Sequence, residues 1–181
     1  MKHQRKLNRL AGYDYSHSAG YFVTICTNEK ISYFGKICNG KMELNDLGKI
    51  AEKFWKEIPQ HYMNISLDVY AIMPNHVHGI IFITDDILKI NAGTEHCSVP
   101  TVGKNKNYGL LSKVVKSYKE KVTKGVKNLF PLSDFSWQRS FYDHIIRNEQ
   151  DYFKIQQYIF ENLKRWEKVK KENNIPDFYA S

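Results

Sequence analysis

Cysteine is scarce in this chain: Cys26, Cys38 and Cys97 are the whole complement of 181 residues. Three is an odd number and no CxxC pair occurs, which leaves no basis for a disulfide framework or a thiolate metal centre. A reducing, cytoplasmic setting is therefore the expected one. Long hydrophobic runs are also missing, and no apolar stretch approaches the ~20 residues of a membrane span. Met1, Lys2, His3, Gln4, Arg5 and Lys6 make a basic start that runs into Gly12, Tyr13, Asp14 and Tyr15. With no apolar core behind that start, no signal peptide is expected. Internal repeats and low-complexity tracts are absent as well.

Acidic residues are outnumbered. Asp+Glu 19 against Lys+Arg 27 leaves a formal net charge of +8. Such an excess favours a polyanionic partner through counterion release from phosphates, although charge alone carries no chemistry. A hydrophobic content of 42% is ordinary for a soluble protein, and 1–181 is read as one domain.

The β-branched and aromatic run Tyr21 to Thr27 reads as a buried strand. Tyr33 to Glu43 holds Asn39-Gly40, a dipeptide that accepts positive φ, and predicts a short hairpin. Asn45 or Asp46 can cap a helix whose apolar residues Leu47, Ile50, Ala51, Phe54, Trp55 and Ile58 recur at helical spacing, ending near Pro59. Ile65 to Met73 and His76 to Ile83 read as two strands, or one bent strand, interrupted at Pro74-Asn75. Thr84 to Asn107 reads as an irregular connection, and Leu110 to about Val126 as a basic helix. Phe135 to Ile146 reads as a strand, and Asn148 opens a helix to about Lys171. This order predicts an α+β fold in which helices lie on an antiparallel sheet, ferredoxin-like or RRM-like.

Chemistry concentrates at His76-Val77-His78. Side chains on a strand alternate, so both imidazoles project from one face and Val77 from the other. Two neighbouring imidazoles can meet one divalent ion, because at neutral pH they are largely unprotonated. The alternative is a pair of histidines packed under a helix.

The run Met73-Pro74-Asn75-His76-Val77-His78-Gly79 resembles the histidine-hydrophobic-histidine motif of the HUH endonucleases, specifically the single-tyrosine transposases of insertion sequences and their REP-associated relatives. The resemblance spans most of the chain. It takes in Gly20-Tyr21-Phe22-Val23-Thr24 and Trp137-Gln138-Arg139 with Phe141, His144, Arg147 and Asp151, the last block being similar to the REP-associated branch. It implies that His76 and His78 hold Mg²⁺ or Mn²⁺, that a tyrosine of the following helix is the nucleophile, and that a 5′-phosphotyrosine intermediate forms on single-stranded DNA with hairpin or palindromic structure. Monomer and homodimer are both known among such relatives.

Tyr142, Tyr152 and Tyr158 compete for the nucleophile's place, and the block Gln157-Tyr158-Ile159-Phe160-Glu161-Asn162 matches the family's tyrosine helix at Tyr158. At about 100° per residue, Tyr152, Ile155, Ile159, Leu163 and Trp166 form one stripe with Tyr152 near its centre, and Tyr158 falls at its edge. That places Tyr152 in the core and leaves Tyr158 open to DNA. The family carries an amide or acid four positions after its tyrosine as third metal ligand, which corresponds to Asn162. The sequence departs from the usual Asn-Pro in having Asn162-Leu163, and Tyr152 with Gln156 repeats the same spacing.

Lys113, Lys116, Lys119, Lys121, Lys124 and Lys127 are candidates for DNA backbone contacts, with a solvated helix face as the alternative. His144 and Arg147 are divided between holding the fold and touching DNA. Two other functions compete with a nuclease: a non-catalytic nucleic-acid-binding module of the same fold, and a small-substrate zinc hydrolase. The latter lacks a third ligand at zinc spacing.

Overall fold

The computed structural model describes residues 18–84 and 109–172, with side chains described through Trp166. The irregular connection expected across Thr84 to Asn107 and Cys97 lies, apart from Thr84, outside the described residues. The elements are β1 (Ala19–Cys26), β2 (Gly35–Cys38), β3 (Lys41–Leu44), α1 (Asp46–Lys56), α2 (Ile58–His61), β4 (Ile65–Met73), β5 (His76–Ile83), α3 (Leu110–Leu129), β6 (Tyr142–Ile146) and α4 (Glu149–Glu172). Four strands form an antiparallel sheet in the order β4-β5-β1-β6. Strands β2 and β3 make a separate hairpin. With the hairpin and the helices α1 and α2 between β1 and β4, and α3 between β5 and β6, this strand order gives the expected ferredoxin-like α+β arrangement.

Local chemistry explains most boundaries. Asn39 and Gly40 both take positive φ, 50° and 73°, as the two-residue turn of the small hairpin demands. Asn45 is the cap of α1: its side-chain oxygen accepts from the Gly48 N–H at 2.9 Å. Pro59 is not a simple stop. Helix α1 closes at Lys56, and Ile58–His61 form a separate helical turn that carries the proline near its start, where a missing N–H costs nothing. Pro74-Asn75 turns β4 into β5, so this stretch is two strands paired from Met73↔His76 upward, with a bulge between Leu67 and Tyr70.

One expected element is shorter than its sequence pattern. The strand read across Phe135 to Ile146 is confined to Tyr142–Ile146, with an isolated bridge from Trp137 to Thr27. Phe135 and Trp137 turn into the core against Phe34, their ring centroids 5.7 and 5.4 Å from its own. The Lys119 ammonium then takes the carbonyls of Gln138, Arg139 and Ser140 at 2.7, 3.4 and 3.3 Å. Carbonyls converging on one cation cannot pair as a ladder, and this ends the strand.

The sheet has two covered faces. Helices α1 and α3 bury Tyr21, Val23, Ile25, Val77 and Ile81 on one of them, with Trp55 and Tyr118 at the centre. On the same face Gly79 is required, since a Cβ there would stand 2.6 Å from the Tyr70 side chain and 2.8 Å from Trp55. Helix α4 covers the opposite face, packing Ile155 and Ile159 on Phe22 and Ile80. Asn148 caps its start by accepting from the Asp151 N–H at 2.9 Å, and His144 of β6 bonds the Asp151 carboxylate at 2.8 Å. Among the described residues no helix is long and apolar enough to cross a membrane.

His144, with the Arg147 N–H and the Arg147 charge, holds the Asp151 carboxyl below its ordinary range. A carboxylate so depressed contributes stability above its unfolded range and loses it as pH falls through the folded one. Asp151→Asn is therefore expected to be less stable than wild type at neutral pH in urea denaturation, with the difference closing as pH is lowered through the carboxylate range. A difference independent of pH would place the effect elsewhere.

Candidate functional site

The register fixes a set of rows across the α4-covered face. Phe82 lies beside Gly20, which lies beside Ile146; Ile80 beside Phe22 and His144; Ala71, His78, Thr24 and Tyr142 form one row; Met73, His76 and Cys26 the last. Helix α4 follows β5 antiparallel along these rows. Tyr152 sits at Phe82 (6.2 Å between ring centroids), Tyr158 at Phe22 and His78 (5.8 Å each), and Trp166 at His76 (5.8 Å). The alternation read from the sequence holds, since Val77 is buried in the opposite core while the two imidazoles stand together at 5.0 Å.

The histidines differ in their support. Asn75 Nδ2 donates to the Lys30 carbonyl at 2.9 Å, which turns the amide so that Asn75 Oδ1 meets His76 Nδ1 at 2.8 Å. His76 Nδ1 therefore carries the proton and Nε2 keeps its lone pair. The carbonyl that orients the amide belongs to a turn in which Glu29 and Lys30 both take left-handed φ, 53° and 58°. His78 is fully buried, and among the described residues neither of its ring nitrogens has a hydrogen-bond partner. Burial pushes His76 down to about 4, with the Lys30 charge assisting. His78 is pushed down to about 3, by burial and then by His76. Both rings are neutral at physiological pH, with lone pairs available.

Tyr158 is 39% exposed, its ring held between Phe22 and His78 with the Arg165 guanidinium 5.5 Å from its centroid. Glu161 anchors that guanidinium at 3.0 Å and is itself held by Gln157 at 2.8 Å. Asn162 is buried, one helical turn beyond Tyr158 and one before Trp166. Because those two residues contact His78 and His76, Asn162 occupies the intervening turn on the helix face toward the pair. A buried imidazole without a hydrogen-bond partner among the described residues, a neighbouring imidazole with its Nε2 lone pair, and a buried amide on the same helix face as Tyr158 and Trp166 are donor types that suit a divalent cation.

The competing tyrosine is placed differently. Tyr152 donates its hydroxyl to Asp68 at 2.5 Å and receives Gln156 Nε2 at 2.7 Å, and the Asp68 hydrogen bond raises its pKa. It is half-buried, a hydrogen-bonded post and not the apolar core centre expected from the stripe. Trp166, assigned to the same stripe, covers His76. The lysines of α3 are also relocated: their helix packs on the face opposite the histidines. Lys119 is spent on the carbonyls of 138–140, its pKa pushed down to about 8 by burial, and Lys116 pairs with Glu120 at 3.7 Å. His144 is engaged with Asp151. The sequence marks Asn75 as a strand interruption and part of the histidine motif but not as the partner of His76, and it gives Arg165 no role, though Arg165, seven residues after Tyr158, falls within about 20° of it on the helix.

Leaving two ring nitrogens without partners in a dry site is destabilising by about 1–3 kcal/mol. His78→Leu, measured in chelator-treated protein, is expected to raise the unfolding free energy by about 1 kcal/mol. A loss of similar size would assign the ring to holding the fold.

No protein-family model matches the chain. Its fold is that of a REP-associated tyrosine transposase solved bound to a REP hairpin, with a TM-score of 0.52 and 16% identity over 87% of this chain and 73% of that one. An uncharacterized protein of Haemophilus influenzae is 37% identical over 168 residues, 91% of each chain. At that identity and coverage the two share a family, and the chain belongs to the family of this Haemophilus influenzae protein.

Proposed function

We propose that the chain is a single-strand DNA endonuclease and strand transferase of the HUH, single-tyrosine transposase type, acting at hairpin or palindromic sites. The observation that carries this reading is the meeting of Tyr158 with His78, whose buried ring nitrogens have no hydrogen-bond partner among the described residues. The transposase fold and the net charge of +8 support it.

His76 Nε2, a His78 ring nitrogen and the Asn162 carbonyl oxygen would hold Mg²⁺ or Mn²⁺. Bound there, the ion supplies Lewis-acid polarisation of the scissile phosphate. Tyr158 attacks phosphorus with its hydroxyl oxygen: the Oη–P bond forms, the P–O3′ bond breaks, the phenol proton passes to solvent and the departing 3′ oxygen takes one up. Asn75 keeps His76 in the coordinating tautomer. Arg165 places a cation beside the ring whose oxygen changes charge. Stored as a phosphotyrosine ester, the bond energy allows the free 3′-OH to reverse the step and rejoin strands without a nucleotide cofactor.

Tyr158→Phe, mixed with a pool of fluorescein-labelled single-stranded hairpins and Mn²⁺, is expected to bind within about threefold of wild type and to form no covalent adduct. The wild-type adduct should map to the Tyr158 peptide. Attachment at Tyr142 or Tyr152, or unchanged nicking by Tyr158→Phe, overturns the assignment, and hairpin binding with no adduct from wild type indicates a binding module. Independently, Mn²⁺ at about 100 times its Kd should stabilise wild type by roughly 2.7 kcal/mol in thermal denaturation. His76→Ala and His78→Ala should lose that stabilisation.

A further inference from the structure

We infer that Tyr142 is a nucleobase-stacking subsite beside the phosphate that Tyr158 attacks. This rests on the single-stranded-DNA reading above and adds to it where a flanking base goes.

Three placements carry it. Tyr142 stands in the same cross-sheet row as His78, with Thr24 between them, which puts it two strands away, roughly 10 Å. It opens β6, the edge strand of the sheet. Along that strand the residues on the α4 side meet three fates: Ile146 packs against the α4 cluster, His144 is bonded to Asp151, and Tyr142 is left 50% exposed. The reason is the line α4 takes along β5 toward His76, which moves past the β6 corner and leaves it uncovered.

Tyr142 is nonetheless held in place. Its ring meets Phe22 edge-on at 6.4 Å and 69°, and the same Phe22 ring meets Tyr158 at 5.8 Å and 85°. One buried phenylalanine thus sets the positions of both the proposed nucleophile and the exposed ring. An exposed aromatic fixed in this way is a platform for the π-face of any base, a sequence-tolerant contact common to single-strand binders. DNA whose phosphate lies at Tyr158 and His78 has an adjacent base within reach of this corner.

The test is metal-free binding in EDTA, read by anisotropy of fluorescein-labelled single-stranded hairpins in which an abasic nucleotide is walked through the flank. Wild type is expected to lose affinity on the order of tenfold when one flank base is removed. Tyr142→Ala should show the same loss on intact DNA and no further loss from the abasic site, while Tyr142→Phe matches wild type. The phenylalanine variant also serves as the folding control. Tyr142→Ala binding within about twofold of wild type overturns the inference, as does a Tyr142→Phe variant as weak as Tyr142→Ala. Tyr142→Phe that binds normally but forms no adduct makes Tyr142 the nucleophile and overturns both readings. If wild type passes the abasic test yet forms no adduct with Mg²⁺ or Mn²⁺, the stacking site stands and the nuclease reading falls.

Discussion

The contact of Phe22 and Ile80 on the sheet with Ile155 and Ile159 on α4 is the interaction on which the site depends. Burying such side chains contributes about 1.5–3 kcal/mol each, whereas the partly exposed His144–Asp151 pair at the helix start contributes at most about 1 kcal/mol. The apolar patch therefore supplies the adhesion, and the His144–Asp151 hydrogen bond and the Asn148 cap set where the helix begins. From that fixed start, helical geometry delivers Tyr158, Asn162 and Trp166 to successive positions over β5. Phe22 has a double role, since it belongs to the patch and also touches His78, Tyr158 and Tyr142.

Placing two imidazoles under this helix is unfavourable to the fold. One of them, His76, is compensated through Asn75, whose amide is oriented by a carbonyl in a left-handed turn. The other, His78, is compensated by nothing among the described residues and is kept neutral by burial. A core optimised for stability alone would place an aliphatic side chain there. Among the described residues Trp55 Nε1, Trp137 Nε1 and Ser112 Oγ are unpaired as well, but each is a single atom, whereas His78 leaves both ring nitrogens without a partner beside His76 and Tyr158.

Much of this architecture was legible locally. Helical periods locate α1, α3 and α4, each with one apolar face, while β1 and β5, buried on both faces, are legible as runs rich in β-branched and aromatic residues, and Asn39-Gly40 and Asn45 announce a turn and a cap through their own side-chain chemistry. The sequence pattern extends β6 too far because Phe135 and Trp137 have strand-forming side chains, while their rings pack around Phe34 and a lysine from α3 claims the carbonyls that follow. Tyr152 departs from its stripe for a similar reason. Its position in the apolar stripe is real, but Asp68, 84 residues earlier in the chain, comes within reach of its hydroxyl only through the bulge in β4. The α3 lysines match a basic helix in any fold, and only the layer order shows that they face away from the histidines.

What the sequence by itself determined is the pairing of His76 with His78, because strand alternation operates within three residues and needs no partner. It also determined that Tyr158 and Asn162 share one helix face, which follows from spacing alone. Tertiary structure alone decided that this helix face lies over the two histidines, with Tyr158 at His78 and Trp166 at His76, that Tyr152 is occupied elsewhere, and that Tyr142 is left half exposed in the same row as His78. Those outcomes depend on the line along which α4 crosses the sheet. That line is set by the fit of four apolar side chains from three separate elements, and no periodicity within a single segment records such a fit.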